Sequence, residues 1–362
     1  MKIRYFIIRR LVLMVPTLIG LTLFTFVLLY SLELTHETQL VSQYINPHSK
    51  DIAAQLRKAK IALGLNLSFP QQYILFLERL VNGTWGFFPT QFPMFGGLPV
   101  LEGIEKSLPN TVQLAFFATL LSVILSIPIG TYIGARPNSV SDNVGRVFSL
   151  VGYAFPVFVL GILLQLLFSR AGVVPRLIGV TGLPIGGTMP TFTSPPSWFR
   201  AGTTYPTHIP ILDGILNGDF SFSWGAFIYV ILPVLTITYG LLAGLLRFIR
   251  SGMVDSLSQE YVKTARSKGV PESWVIRTHV RRNAMIPAIT VMVLAFAALL
   301  GGVVVVEDIF SYHGMGLLAL NSVLDFAPYG VLSTTFFFGI IIVIANLVVD
   351  VIYALLDPRI RY

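Results

Sequence analysis

Apolar residues fall into six long runs separated by polar stretches: Leu11–Leu32, Pro109–Ala135, Val147–Ser169, Ala226–Leu246, Ala284–Val306 and Val331–Leu356. A hydrocarbon core about 30 Å thick takes about 20 helical residues. Each run reaches that length, so each reads as a membrane-crossing helix, and the pattern predicts an all-α integral membrane protein with six transmembrane helices. The runs divide the chain into a tail with the first crossing (1–32), a polar region (33–108) and a core domain (109–362) with the other five crossings. A long polar link, 247–283, interrupts that core. Five runs hold an internal proline, Pro16, Pro128, Pro156, Pro233 and Pro287. Proline removes a backbone hydrogen bond and kinks a helix, which a membrane bundle tolerates.

The composition agrees with this reading. The chain of 362 residues is 54% hydrophobic and 12% charged, with mean hydropathy +0.75, against about one quarter charged for soluble domains. A water-soluble globular protein is excluded. There is no cysteine, hence no disulfide, thiolate metal site or thiol nucleophile.

Charge supplies an orientation. Lys2, Arg4, Arg9 and Arg10 precede the first run, Arg136 and Arg146 lie in the second link, the 247–283 link holds eight basic residues, and Arg359 and Arg361 follow the last run. On the alternate side, 307–330 holds Glu307, Asp308 and Asp325 without Lys or Arg, and 170–225 holds only Arg170, Arg176 and Arg200. Short basic links face the cytoplasm, so both termini are expected there and 33–108 outside. The first run is longer than a signal peptide's apolar core and lacks a small-x-small cleavage site after it, so it reads as a retained anchor. The net charge of +8 follows from topology and requires no nucleic acid.

Several chemistries are missing. No G-x-x-x-x-G-K-[ST] stretch occurs, so ATP, if used, binds another chain. The five histidines form no H-E-x-x-H pair, and no run carries a nucleophile with its base, so catalytic, cofactor and metal sites are not expected. A secondary transporter would need coupling-ion ligands inside the membrane, often in an inverted repeat, and neither is evident. The clearest ionisable residue within a run is Asp350, with Asn346 one turn earlier on the same face; together with Pro287 these are structural or gating candidates.

The 247–283 link is the most informative stretch. Ser256 and Gln259 fit a capping box, and Leu257, Tyr261, Ala265 and Lys268 follow along one face, predicting a helix over 257–268. Gly269 fits a left-handed helix stop, and Pro271 with Glu272 fits the first turn of a second helix. The prediction is helix, sharp turn, helix: a knob suited to a groove on a peripheral partner.

The residues themselves resemble a known family. Glu260-Tyr-Val-Lys-Thr-Ala-Arg-Ser-Lys-Gly-Val270, followed by Arg281-Arg-Asn-Ala-Met-Ile-Pro-Ala-Ile-Thr-Val291, is similar to the EAA loop of ABC importer permeases, specifically the first permease of dipeptide, oligopeptide and nickel systems. Lys263, Thr264 and Ala265 fill the Glu-Ala-Ala places, as in the peptide branch, and Ala265, Gly269 and Pro287 match most closely. Arg9-Arg10 with Pro16-Thr17, Leu108-Pro-Asn-Thr111, Val304–Leu318 and the terminal Asp357-Pro-Arg-Ile-Arg-Tyr362 extend the resemblance over nearly the whole chain. His313 stands where the family usually has proline.

The resemblance implies the type I ABC importer permease fold in a prokaryotic cell membrane, archaeal sources included. It also implies an ATPase-coupling interface at Glu260, Tyr261, Thr264, Ala265, Arg266, Lys268, Gly269, Val270, Pro271 and Glu272. The implied partners are a second homologous permease, forming a heterodimer, two ABC ATPases that bind ATP and Mg, and an extracellular binding protein. Peptide is the implied cargo, with oligosaccharide or nickel as alternatives. In the outer regions, Trp85, Phe87, Phe88, Phe92 and Phe95 follow a leucine-rich stretch at 75–80; they read either as a receiving surface for the binding protein or as aromatics that pack together.

Overall fold

The computed structural model describes residues 3–42, 51–190, 196, 198 and 207–356. The terminal Asp-Pro-Arg-Ile-Arg-Tyr motif lies outside the described residues. The helices are α1 (Ile3–Ser42), α2 (Ile52–Leu63), α3 (Phe69–Val81), α4 (Val100–Gly134), α5 (Val140–Ala154), α6 (Val157–Phe168), α7 (Val173–Ile178), α8 (Pro210–Leu216) and α9 (Phe220–Leu257). They continue with α10 (Glu260–Ser267), α11 (Glu272–Trp274), a wide π-helical turn (Val275–Val280), α12 (Arg281–Leu300), α13 (Val304–Ile309), α14 (Met315–Leu324) and α15 (Pro328–Leu356). No strand forms among the described residues, which have only two isolated bridges.

Five helical segments are long and apolar enough to cross a bilayer: Ile8–Ser31, Val100–Gly134, Phe220–Leu257, Glu272–Leu300 and Pro328–Val351. The sixth expected crossing departs from a straight or gently kinked rod. It consists of α5 and α6, bent by 100° between Ala154 and Val157. The cause is local: Phe155 adopts an extended backbone (ψ 124), as steric conflict with a following proline favours, and Pro156 caps α6. Pro16, Pro128, Pro233 and Pro287 instead sit inside continuous helices. The fifth crossing ends at Leu300, short of Val306, because Gly302 turns the chain with φ 96, its Cα face lying against Gly316.

Helix α9 is the centre of the bundle: 56% of its apolar window is buried, against 17% for α1. Lipid offers apolar side chains as good an environment as a neighbouring helix does, so association depends on close packing, and small residues permit it. A Cβ on Gly130 of α4 would lie 2.7 Å from Ile249, and one on Gly134 2.6 Å from Met253, both on α9. On other sides of α9, Gly152 of α5 meets Ala243, and Gly252 of α9 itself lies against the Ala284 carbonyl of α12. Ala115, Ala118, Ser122 and Ser126 extend the small buried stripe of α4, where Ser122 Oγ donates to the Ala118 carbonyl at 2.7 Å.

The bundle has two ends. At one, Ile249, Met253, Val262, Ala265, Val275, Val280 and Ala284 form a core beneath the polar link. At the other, Phe88, Phe92, Val100, Ile104, Met315 and Leu318 form a second core joining the 82–99 link, α4 and α14. The aromatic residues of the 33–108 region pack both together and onto the crossings: Phe88 stacks on Phe92 at 4.5 Å, Phe26 of α1 meets Phe69, Tyr73 and Phe76, and Trp85 meets Phe336 of α15.

The α4–α9 contact yields a direct expectation. Gly130→Val is expected to destabilise the protein by about 1–3 kcal/mol through overpacking, measured as a lowered thermal unfolding midpoint in detergent. Gly240→Ala, whose new Cβ would have nothing within 4 Å, is expected to leave the midpoint unchanged.

Candidate functional site

The polar link folds as a compact knob. Helix α9 runs through to Leu257, so Ser256 is buried in its last turn rather than capping a new helix. The expected Ser256–Gln259 capping box therefore does not form, and the next helix starts at Glu260 with Gln259 at its cap. Ser258 Oγ donates to the Asp255 carbonyl at 2.8 Å, and Gln259 Nε2 to the same carbonyl at 3.3 Å. The buried face of α10 is also not the expected one: Val262 and Ala265 are buried, whereas Tyr261 is exposed and Lys268 is the C-cap. Three-residue spacing brings Val262 and Ala265 into one core with Val275 and Val280.

The turn after α10 follows the expected chemistry. Gly269 has φ 76; its N–H donates to the Arg266 carbonyl at 2.9 Å and the Val270 N–H to the Ala265 carbonyl at 3.3 Å. This pair of bonds is a Schellman stop. Pro271 caps the following helix and Glu272 stands in its first turn. Across the turn, Arg266 grips Glu272 with two parallel bonds, Nε to Oε2 at 3.0 Å and Nη2 to Oε1 at 2.6 Å. Lys263 pairs with Glu260 at 2.7 Å. The structure thus gathers Glu260, Tyr261, Thr264, Arg266, Lys268, Gly269, Pro271 and Glu272 on one exposed knob, with Val270 half-buried and Ala265 as the buried anchor. Trp274 adds an exposed ring, edge-on to His279 at 5.2 Å.

An ion cluster beside the knob was not anticipated from the sequence. Asp142, at the start of α5, is fully buried. Its Oδ2 accepts from Arg146 Nη2 at 2.6 Å, from Arg250 Nη2 at 3.0 Å and from the Asn138 N–H at 2.9 Å, while Oδ1 accepts from Arg250 Nε. Ser139 caps α5 by accepting from the Asp142 N–H at 3.2 Å. The cluster clamps the second link to α9 two turns before the knob. The Ser139-x-x-Asp142 cap and the Asp142-x-x-x-Arg146 spacing were readable; the long-range partner Arg250 was not.

The gating candidates separate. Asp350 pairs with Arg10 at 3.1 Å, tying α15 to α1. Asn346 and Asp350 line an open cleft with Arg10, Thr17 and Thr290. Pro287 sits on an exposed position within α12, which continues unbroken past it.

A second missed residue is Glu307, at the end opposite the knob. It is fully buried, with Oε1 accepting from Thr111 Oγ1 and Oε2 from the Leu317 N–H, each at 2.8 Å. Thr111 Oγ1 in turn accepts from the Met315 N–H at 2.8 Å. Burial pushes the Glu307 carboxyl above its ordinary value, and these hydrogen bonds act in the opposite direction. Asn110 Nδ2 donates to the His313 carbonyl at 2.8 Å, and Gln113 Nε2 to Tyr312 Oη. At this contact His313 contributes its backbone carbonyl, with its side chain outside the core. Glycine is required at 314 and 316, since a Cβ on Gly314 would lie 2.4 Å from Glu307 Oε1 and one on Gly316 2.9 Å from the Val304 nitrogen. The Leu108-Pro-Asn-Thr111 and Val304–Leu318 stretches, far apart in sequence, thus meet in one buried network.

A polytopic α-helical membrane protein with a compact charged knob between two crossings is the class these features define. The family of binding-protein-dependent transport system inner membrane components matches residues 126–362, and the chain belongs to that family. It is 31% identical over 357 residues to the oligopeptide transport system permease protein AppB of Bacillus subtilis, covering 99% of both chains. It is 33% identical over 301 residues to the probable D,D-dipeptide transport system permease protein DdpB of Escherichia coli, covering 82% of both. It is 30% identical over 358 residues to the glutathione transport system permease protein GsiC of Salmonella typhi, covering 99% of both.

Two contrasting substitutions test the networks by thermal unfolding in detergent. Thr111→Val leaves the buried Glu307 carboxylate short of a donor and is expected to cost about 1–3 kcal/mol. Arg266→Ala breaks an exposed pair and is expected to cost less than about 1 kcal/mol.

Proposed function

We propose that this chain is the translocation subunit of an ATP-driven, binding-protein-dependent importer, forming half of the pathway for di- and oligopeptides. The knob carries the proposal: α10, the Gly269 stop and α11 form one unit whose inner side joins the α9–α12 core and whose outer side offers alternating charges and an exposed tryptophan. A partner that pushes the outer side moves α9 and α12 without first deforming the knob.

In this reading the knob faces the cytoplasm with both termini and sits in a cleft of an ABC ATPase. Two such ATPases bind ATP and Mg and hydrolyse it; this chain contributes no nucleotide site. A second, homologous permease completes the pathway, and an extracellular binding protein delivers cargo to the end that carries Glu307. Peptide stands ahead of oligosaccharide and nickel. The named relatives are permeases of oligopeptide, dipeptide and glutathione systems. Secondary transport stands behind the importer reading, because Asp350, the clearest ionisable residue within a crossing, is paired with Arg10.

The test is an affinity purification of the tagged chain from native membranes in mild detergent. Two ATPases, a second permease and a binding protein are expected; recovery of the chain alone after gentle crosslinking would overturn the reading. Gly269→Val sharpens it. A Cβ at Gly269 has nothing within 4 Å, so only the left-handed backbone resists substitution, by roughly 1–2 kcal/mol. The variant is expected to insert and to assemble with its ATPases, yet to lose at least about tenfold in peptide uptake per ATP hydrolysed; normal uptake would remove the knob from the mechanism.

A further inference from the structure

At the end opposite the knob, α2, α3, the 82–99 link and the start of α15 surround an open cavity of about 780 Å³. Its walls include Trp85, Phe87, Phe88 and Tyr329, with Lys58 and Arg79, and none of the described lining residues is acidic. The size falls within the ~300–1,000 Å³ of small-ligand pockets, and the mixture of mostly apolar wall with a few polar groups is the one such pockets share.

The walls are fixed before any ligand arrives. Arg79 Nη1 donates to Tyr329 Oη at 2.6 Å, and Tyr329 Oη donates to the Leu63 carbonyl at 3.2 Å. Trp85 Nε1 donates to the Leu80 carbonyl at 3.1 Å. Gly86 has φ 87, and a Cβ there would lie 2.6 Å from the Tyr329 ring, so only glycine lets the 83–90 segment lie against that ring.

The mouth differs from the walls. Phe87 is 59% exposed there. Lys58 is exposed on α2 and forms no ion pair with a described residue, whereas Lys60 on the same helix is paired with Glu37 at 2.8 Å. A preformed aromatic cavity with a basic rim suits a ligand that has an apolar body and one negative end.

We propose that this cavity binds short peptides with a free terminal carboxylate and a bulky apolar side chain. The carboxylate meets Lys58 at the rim, and the side chain lies against Trp85 and Phe87. The choice of peptide rests on the importer reading; the preference for a carboxylate and an apolar side chain rests on the cavity itself.

The test uses the full chain in phosphatidylcholine nanodiscs, titrated calorimetrically with the tripeptide Leu-Leu-Phe as free acid or as terminal amide. Saturable binding of the acid is expected, weakened about two- to fivefold in the amide, as loss of one exposed charge pair implies. Lys58→Gln, a surface change, is expected to weaken the acid by a similar factor and leave the amide unchanged. Ala59→Trp, which fills the cavity, is expected to abolish binding, with its thermal midpoint checked against the parent.

Equal affinity for acid and amide, or no effect of Lys58→Gln, would overturn the proposal. So would saturable binding of phosphatidylglycerol with none of the peptide, which would make this a lipid site. ATPase subunits added to the same nanodiscs separate the two readings: assembly without peptide binding rejects this site and keeps the importer, and peptide binding without assembly does the reverse.

Discussion

The close approach of α4 and α9 is the constraint on which the rest of the molecule depends. In lipid, the water-driven clustering of apolar groups no longer pulls helices together, and contact depth decides which pairs hold. Gly130 and Gly134 bring the α4 backbone within side-chain reach of Ile249 and Met253. The contacts of α9 with α5 and α12 use the same device, at Gly152 of α5 and at Gly252 of α9 itself. With α9 held at the centre, its two ends become reference points: the Asp142 clamp and the knob attach at one, and the α13–α14 elements surround the other.

Those two ends are built differently. Near the knob, charges are shared between exposed and buried partners, and the contacts within the knob itself are local in sequence. Around Glu307 the polar atoms are sealed from solvent, and their donors come from backbone N–H groups at glycine-flanked positions and from α4. A sealed carboxylate fixed by several donors resists displacement, because losing one donor exposes an uncompensated group in an apolar setting. The Glu307 end therefore behaves as one block joining α4 to the α13–α14 segment, while the knob end offers a surface that can be gripped.

What was legible in the sequence follows from the range of the interactions. Gly269 and Pro271 act through their own backbone angles, so the stop and restart of the knob could be read residue by residue. The crossings were legible from run length, apart from the 100° break, where the spacing shows a proline but not whether neighbours let the helix reform. The start of α10 was misread because Ser256 has the side chain of a cap but sits in a helix that tertiary packing keeps going. Asp142 and Glu307 were invisible as sites because their decisive partners, Arg250 and Thr111, lie more than one hundred residues away. A lone acid in a link looks the same whether it is solvated or buried.

The wide turn at Val275–Val280 has a consequence for how force leaves the knob. Its closing bond runs from the Arg281 N–H back to the Ile276 carbonyl, one residue further than in an α-helix. Each residue of an α-helix advances the azimuth by about 100°, so this turn sets the phase at which Ala284, Ala288 and Met292 face α9. Tightening it to ordinary pitch would rotate that stripe and, because Val275 and Val280 of the turn pack with Val262 and Ala265, would repack the base of the knob as well. A change of pitch in this turn would thus turn α12 about its own axis as well as shift it along that axis.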